Sequence, residues 1–384
     1  MSDKTVVVLG GGTGGLVVAS RLRRRLDPAD RVILVERNPI YRYAPSFLWV
    51  MTGARRPEQV TADLRRLRRR GIEFLQADAL DIDSAQRRVK TSEAELTYDR
   101  LVVALGAELA PQALPGFTEA ARNVYTLEGA AAAGEELRRF NGGRVVVVVS
   151  RLPYKCPAAP YETAFLAEAL LRRRGLGDRF SVDVYSPEPY PMPTAGPVLG
   201  DALTGMLAER GIGFHPGSTT DQVDPARKEL VLAGGERVTY DLLLGIPPHR
   251  PPDVIAHGPL GGETGFVPVD PATLQTGAEG VFAVGDVTAI PIAGGKFLPK
   301  AGVFAHAEAE VVARRIADEL AGRPPGATFD GDGACFVELG DGQAAYATGR
   351  FYGEGGPQIH LRRPGRHWHA AKVGFEQYWM RRWL

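Results

Sequence analysis

The chain has 384 residues, 44% hydrophobic and 24% charged, the balance of an ordinary globular protein and not of a disordered one. Lys and Arg number 46 against 45 Asp and Glu, so a net charge of +1 gives no general reason to expect a nucleic-acid partner. The longest valine run, Val145 to Val149, is far short of the ~20 apolar residues of a spanning helix, and the length suggests two or three domains.

Met1 to Lys4 lead straight into a buried-strand run, Thr5 to Leu9, so no secretory signal is expected. A glycine loop follows, with Gly10, Gly12 and Gly15 in the G-x-G-x-x-G spacing, and then a helix expected over Leu16 to Leu26. Strand, glycine turn and helix in this order form the dinucleotide fingerprint: backbone approaches a pyrophosphate closely, and the helix N-terminus offers N–H groups and a positive dipole end. A second strand, Val32 to Val35, ends at Glu36, a carboxylate suited to accept hydrogen bonds from a ribose. Arg37 and Ala77 are assigned to the same cofactor site.

Leu96 to Ala107 (LTYDRLVVALGA) resembles the strand-and-turn motif of two-dinucleotide flavoproteins, with Ala104 and Gly106 at the turn. Thr276 to Asp286 (TGAEGVFAVGD) resembles the second FAD motif of that superfamily, in which Gly285 permits close approach and Asp286 binds the ribityl chain. The three motifs together favour FAD over NAD at the first site. Val238 to Gly245 (VTYDLLLG) echoes Leu96 to Gly106, which suggests a second related fold inserted into the first.

That second fold opens with Val145 to Val149, after which a nicotinamide-binding domain carries another glycine loop. Here the loop reads SRLPYKCPAAPYE, Ser150 to Glu162, with no glycine and three prolines. This argues against NAD(P)H as reductant. In its place stands Cys156, beside Lys155 and just before a helix expected to start around Ala159 to Glu162, and both neighbours are expected to favour the thiolate. The plain alternative is a structural cysteine in a proline-rich turn. The second cysteine of the chain, Cys335, follows a Gly- and Asp-rich turn; two cysteines so far apart suit neither a disulfide scaffold nor a zinc site, and no metal is expected.

Phe297 to Gly302 (FLPKAG) precedes a helix expected over Phe304 to Leu320, and Lys300, Ala301 and Gly302 are assigned to the cofactor site. The helix start and Lys300 are expected to stabilise a reduced, anionic flavin; simple solvation is the alternative for Lys300. Three of the four tryptophans lie in the last seventeen residues. Trp368, Phe375, Trp379 and Trp383 fall within a helical stripe of about 80°, flanked by Arg381 and Arg382. Such a helix is expected to lie on a bilayer surface, with packing on the protein's own body or across a dimer interface as the alternative.

On these motifs the chain resembles the sulfide:quinone oxidoreductase family, and its relative, the flavoprotein subunit of flavocytochrome c sulfide dehydrogenase. KCPAAPYE (Lys155 to Glu162), Cys335 and KVGFE (Lys372 to Glu376) carry most of that likeness. The resemblance implies an α/β fold of two Rossmann-like dinucleotide-binding domains, the second inserted in the first: residues 1–109 with 266–329 for FAD, 110–265 for the second, and 330–384 as a C-terminal amphipathic membrane-contact region. It implies that Cys156 and Cys335 carry sulfur as a bridge, that Glu162 moves protons or caps its helix, and that Lys372 and Phe375 line a quinone pocket. It further implies sulfide and membrane quinone as partners, a peripheral position on the cell membrane, and a possible homo-oligomer. FAD is expected to be non-covalent, since no cysteine lies around Tyr41 to Phe47. Tyr125 stands where many members have a third cysteine, and a histidine soon after it is missing. A cytochrome acceptor, a type 2 NADH:quinone oxidoreductase and a non-catalytic thiol-sensing flavoprotein are the alternatives. Spacing does not decide which cysteine faces the flavin.

Overall fold

In the computed structural model, which describes residues 3–353 and 355–384, runs of β-branched residues build two five-stranded parallel sheets. The chain lays down β1 (Thr5–Leu9), β2 (Arg31–Val35), β3 (Glu73–Leu75) and β4 (Arg100–Val103) in the first sheet. It then passes to the second, with β5 (Arg122–Asn123), β6 (Gly143–Val149), β7 (Phe180–Tyr185), β8 (Ile212–His215) and β9 (Leu242–Ile246). It returns to the first with β10 (Val281–Ala283). The spatial orders are β10-β4-β1-β2-β3 and β5-β9-β6-β7-β8, with every pair parallel. A parallel sheet covered on both faces needs strands that are apolar throughout, and Val6 to Leu9 and Val145 to Val149 are each fully buried.

Helices supply the crossovers. α1 (Thr13–Arg23) joins β1 to β2, and a short α2 (Phe47–Met51) lies beyond β2. α3 (Ala159–Arg173) joins β6 to β7, and α4 (Gly302–Leu320) follows β10 and packs along α1. α1 begins at Thr13, three residues before the expected start. Its two glycines are inside the helix because the close packing requires them: a Cβ on Gly15 would sit 1.9 Å from the carbonyl oxygen of Gly10. The last part of the chain forms an antiparallel sheet of β11 (Asp332–Gly340), β12 (Gln343–Arg350) and β13 (Gln358–Gly365), covered by α5 (Arg366–Trp383).

The aromatic stripe of α5 is turned mostly inward, which corrects the expectation that it faces a bilayer. Trp379 and Trp383 are 2% and 0% exposed. Trp383 packs edge-on against His306 of α4, with Arg21 of α1 5.0 Å above its ring. Trp379 donates to the Tyr41 hydroxyl at 2.9 Å, and Trp368 stacks on Tyr346. Phe375 and Tyr378 remain exposed. Helical periodicity defines a stripe but not what covers it, and here the body of the protein does. Among the described residues no helix is long and apolar enough to cross a membrane.

Burial of this depth sets the expected cost of truncation. Trp383→Ala should lower the unfolding free energy by about 3–5 kcal/mol in a urea titration, against roughly 0.5 or less for Tyr378→Ala. Equal effects of the two substitutions would refute the inward packing.

Candidate active site

The first glycine loop forms a backbone cradle of the kind that a dinucleotide site uses. Gly10 has φ +99°, and a Cβ there would lie 2.3 Å from the carbonyl oxygen of Ala104 at the end of β4, so strand β4 and the loop touch through backbone. Gly12 faces open space, the side from which a ligand approaches, and the first turn of α1 holds no acidic side chain to compete for its free N–H groups. Glu36 is fixed at the mouth: one carboxylate oxygen accepts from Gly11 N at 2.7 Å and the other from Asn38 N at 2.9 Å. It lines a cavity of ≈ 370 Å³ together with Arg37, Ala77, Leu105 and Glu108. Arg37 is held by Glu108 at 2.7 Å. Gly106, at φ +70°, turns the chain out of β4 into the linker.

The second motif meets the first at the start of α4. Gly302 opens that helix beside Thr13, a Cβ placed on it lying 3.8 Å from the Thr13 hydroxyl, so the N-termini of α1 and α4 converge on one cleft. Gly285 adopts φ +77° and donates its N–H to Glu308 of α4 at 2.5 Å. Burial pushes the Glu308 carboxyl up to about 7, and pushes Asp286 up as well, against the pull of Lys155 and Lys300. Lys300 does not reach freely into the cleft. It donates to the carbonyls of Asp286 (2.7 Å) and Thr288 (3.0 Å) and lies 3.5 Å over the Phe266 ring, and burial lowers its ammonium to about 8. Ala301 caps the helix with extended backbone. Glu308 was not anticipated, although a carboxylate among Ala305, Ala309 and Val312 on the apolar stripe of α4 is a visible signal.

Cys156 reaches this cleft from the second fold. Its N–H donates to the Lys300 carbonyl at 2.7 Å, and its own carbonyl accepts from the Tyr125 hydroxyl at 3.1 Å and from Ala159 N at 3.0 Å. Its φ is +53°, a strained value for a residue with a side chain, and these contacts hold it there. Its surface is open to the cleft while protein surrounds it at longer range. Cys335 lies on β11 with its sulfur 3.2 Å from the Phe336 carbonyl oxygen.

Cys156 and Cys335 are both free thiols, and one charged cluster acts on each of them. Glu162, on the first turn of α3, accepts from the Lys372 ammonium and from Glu338 N, each at 2.8 Å through the same oxygen. Glu338 of β11 lies 3.8 Å from Lys372 and 3.0 Å from His369 Nδ1. The Lys372 ammonium also sits 5.2 Å over the Trp49 ring of α2. Burial raises both thiols above their ordinary range, with Glu162 pushing the same way and Lys372 opposing; Cys335 is taken up to about 12. The expectation of a favoured thiolate beside Lys155 is therefore corrected. The Lys155 ammonium turns to the Ala107 carbonyl at 3.2 Å and toward Asp286, and the cation that acts on both sulfurs is Lys372. Phe375, one turn beyond Lys372 on α5, is exposed. Glu338 and His369 were missed; neither position carries a pattern in the sequence that distinguishes it.

Known proteins give this geometry a setting. A family model described as pyridine nucleotide-disulphide oxidoreductase matches residues 4–149 and 161–309, and the gap covers 150–160, the cysteine loop. The chain is 26% identical to the mitochondrial sulfide:quinone oxidoreductase of Mus musculus, over 87% of this chain and 75% of the mouse protein. It is 26% identical to the sulfide-quinone reductase of Aquifex aeolicus, over 98% of this chain and 90% of that one. The X-ray structure of the sulfide:quinone oxidoreductase from that bacterium superposes with a TM-score of 0.89 at 24% identity, covering 99% of this chain and 91% of the other, which shows the fold.

Replacement of Lys372 tests the electrostatic assignment. Since its ammonium holds both thiols down against burial, Lys372→Met should move the rising limb of Cys335 alkylation with pH upward by about one unit. A limb that stays in place, or moves down, would sink the assignment.

Proposed function

This chain belongs to the pyridine nucleotide-disulphide oxidoreductase family, and we propose that it is an FAD-dependent sulfide:quinone oxidoreductase working through Cys156 and Cys335. One observation carries the reading. The second Rossmann fold keeps the strand and helix of a nucleotide site, β6 and α3, yet the loop between them holds no glycine and presents a cysteine whose backbone is tied to the FAD motif at Lys300. A loop that cannot approach a pyrophosphate closely is a poor seat for NAD(P)H.

FAD would be held without a covalent bond, with Gly10, Gly12, Gly15 and Glu36 placed to hold its adenosine and phosphates and Gly285, Asp286, Ala301 and Gly302 its ribityl and ring end. When bound, it accepts two electrons from sulfur and returns them to an acceptor. The chain's residues do the rest. With Cys156 and Cys335 joined as a disulfide, hydrosulfide attacks one sulfur; the new S–S bond makes a persulfide, and the other cysteine leaves as a thiolate beside Lys372. The raised thiol pKa values fit this division of labour: the nucleophile is sulfide, and the leaving thiolate needs the Lys372 charge. Glu162 holds that lysine and takes the proton released as sulfur is oxidised. Overall, hydrosulfide, one proton and quinone give sulfane sulfur and quinol. Lys372 and Phe375 face the quinone, and Phe375 and Tyr378 with Arg381 rest on the membrane surface from which quinone is drawn.

Anaerobic visible spectroscopy tests this. Sulfide should bleach the flavin band, a soluble quinone analogue should restore it, and NADH should leave it unchanged. Cys156→Ser and Cys335→Ser should each slow bleaching by about three orders of magnitude while dithionite still reduces the flavin. Reduction by NADH but not by sulfide would hand the protein to the dehydrogenase alternative. Bleaching without turnover on quinone would favour a cytochrome acceptor or a sensor.

A further inference from the structure

In the first fold an acid, Glu36, directly follows the second strand and faces the nucleotide cleft. In the second fold the comparable strand is β7, and the acid that follows it, Glu188, is 3% exposed and turned inward. One of its carboxylate oxygens accepts from the hydroxyls of Tyr154 (2.9 Å), Tyr161 and Ser186 (3.2 Å). The two tyrosines stand two residues before Cys156 and five after it, so a single carboxylate grips both flanks of the cysteine loop. The Tyr154 hydroxyl also lies 3.3 Å from the Pro157 carbonyl oxygen, which closes the loop on itself.

Glu188 is itself anchored. Its carbonyl accepts from Gly217 N at 3.0 Å, and Ser186 N donates to the His215 carbonyl at 3.1 Å, which fixes the segment to the end of β8. The apex of the loop is pinned separately, through Cys156 N to Lys300 and the Tyr125 hydroxyl to Cys156 O. A non-glycine residue at φ +53° persists only where its surroundings over-determine it. Glu188 and Tyr125 together supply the part of that constraint that comes from the second fold.

We propose that Glu188 is a positioning residue: the carboxylate that a nucleotide-binding fold turns toward a ribose here clamps Tyr154 and Tyr161, and so sets the backbone of Cys156 against the FAD motif. The nucleotide cleft of the second fold is thereby filled by the protein's own side chains. The clamp stands on geometry alone; its catalytic consequence rests on the reading of Cys156 as a sulfur carrier.

The test uses FAD-loaded enzyme carrying Glu188→Ala, Glu188→Gln and Tyr154→Phe, followed by hydrogen exchange and by flavin reduction. In Glu188→Ala, exchange in residues 151–158 should rise about tenfold while β6 and β7 stay as in the parent, and reduction by sulfide should slow about tenfold with dithionite reduction unchanged. Glu188→Gln, which keeps an acceptor oxygen, should recover most of both effects. Tyr154→Phe removes only one hydroxyl and should raise exchange in the same segment; it decides the matter if Glu188→Ala does not fold. Exchange that rises evenly across the second sheet, or a loop that exchanges as in the parent, would overturn the clamp. If sulfide fails to reduce even the parent enzyme, the functional reading falls, and the exchange data still judge the clamp.

Discussion

A single backbone hydrogen bond, from Cys156 N–H to the Lys300 carbonyl at 2.7 Å, joins the inserted fold to the FAD motif at the point where chemistry is proposed. Neither residue is free to move. Lys300 is held by two carbonyls and the Phe266 ring, and Cys156 sits at a backbone angle that only a well-braced loop sustains. Two Rossmann-like folds placed side by side would otherwise leave an open cleft between them. The bond turns that cleft into a site with a defined wall on each side.

Around this bond the charges do not balance, and the excess is informative. Glu162 and Glu338 are nearly buried acids facing one full cation, Lys372, with His369 at the margin. A buried carboxylate without its own partner carries a desolvation penalty of several kcal/mol, which favours its protonated form. Burial accordingly raises Glu338, while the two carboxylates raise Lys372 and keep it charged. The thiols resist ionisation chiefly because they are buried, and the Glu162 carboxylate adds to that effect. A centre of this kind holds its protons until a reaction supplies charge to move them.

Much of the fold is local information and is legible as such. The valine runs, the glycine spacing and the echo between Leu96–Gly106 and Val238–Gly245 mark two parallel-sheet folds because each feature is a property of a short window. The departure at Ser150 to Ala158 is equally local. What sequence does not reveal is pairing over distance. Glu162 and Lys372 are 210 positions apart, and adjacency favoured Lys155, whose side chain points elsewhere. Glu338 occupies an interior position of a strand whose neighbours, Val337 and Leu339, are also buried, so alternation gives no hint of it. Trp379 and Trp383 were visible as a stripe, but the surface that covers them belongs to α1, α4 and Tyr41.

That covering explains why a helix at the end of the chain can serve the centre of the molecule. The far end of α5 is locked onto the FAD-binding fold by Trp383 against His306 and Arg21, and by Trp379 against Tyr41. Its middle is locked by Glu376, which accepts from Ser46 at 2.6 Å and from Arg55 at 2.7 Å. Lys372 lies one turn before Glu376, so its ammonium is delivered to Glu162 by a helix that is already fixed. An α5 riding only on a membrane would have left that ammonium free to swing, and both sulfurs without their cation. The inward tryptophans thus tie the electrostatics around the two cysteines to the packing of the flavin fold, and the exposed Phe375 and Tyr378 are what the same helix retains for its outer face.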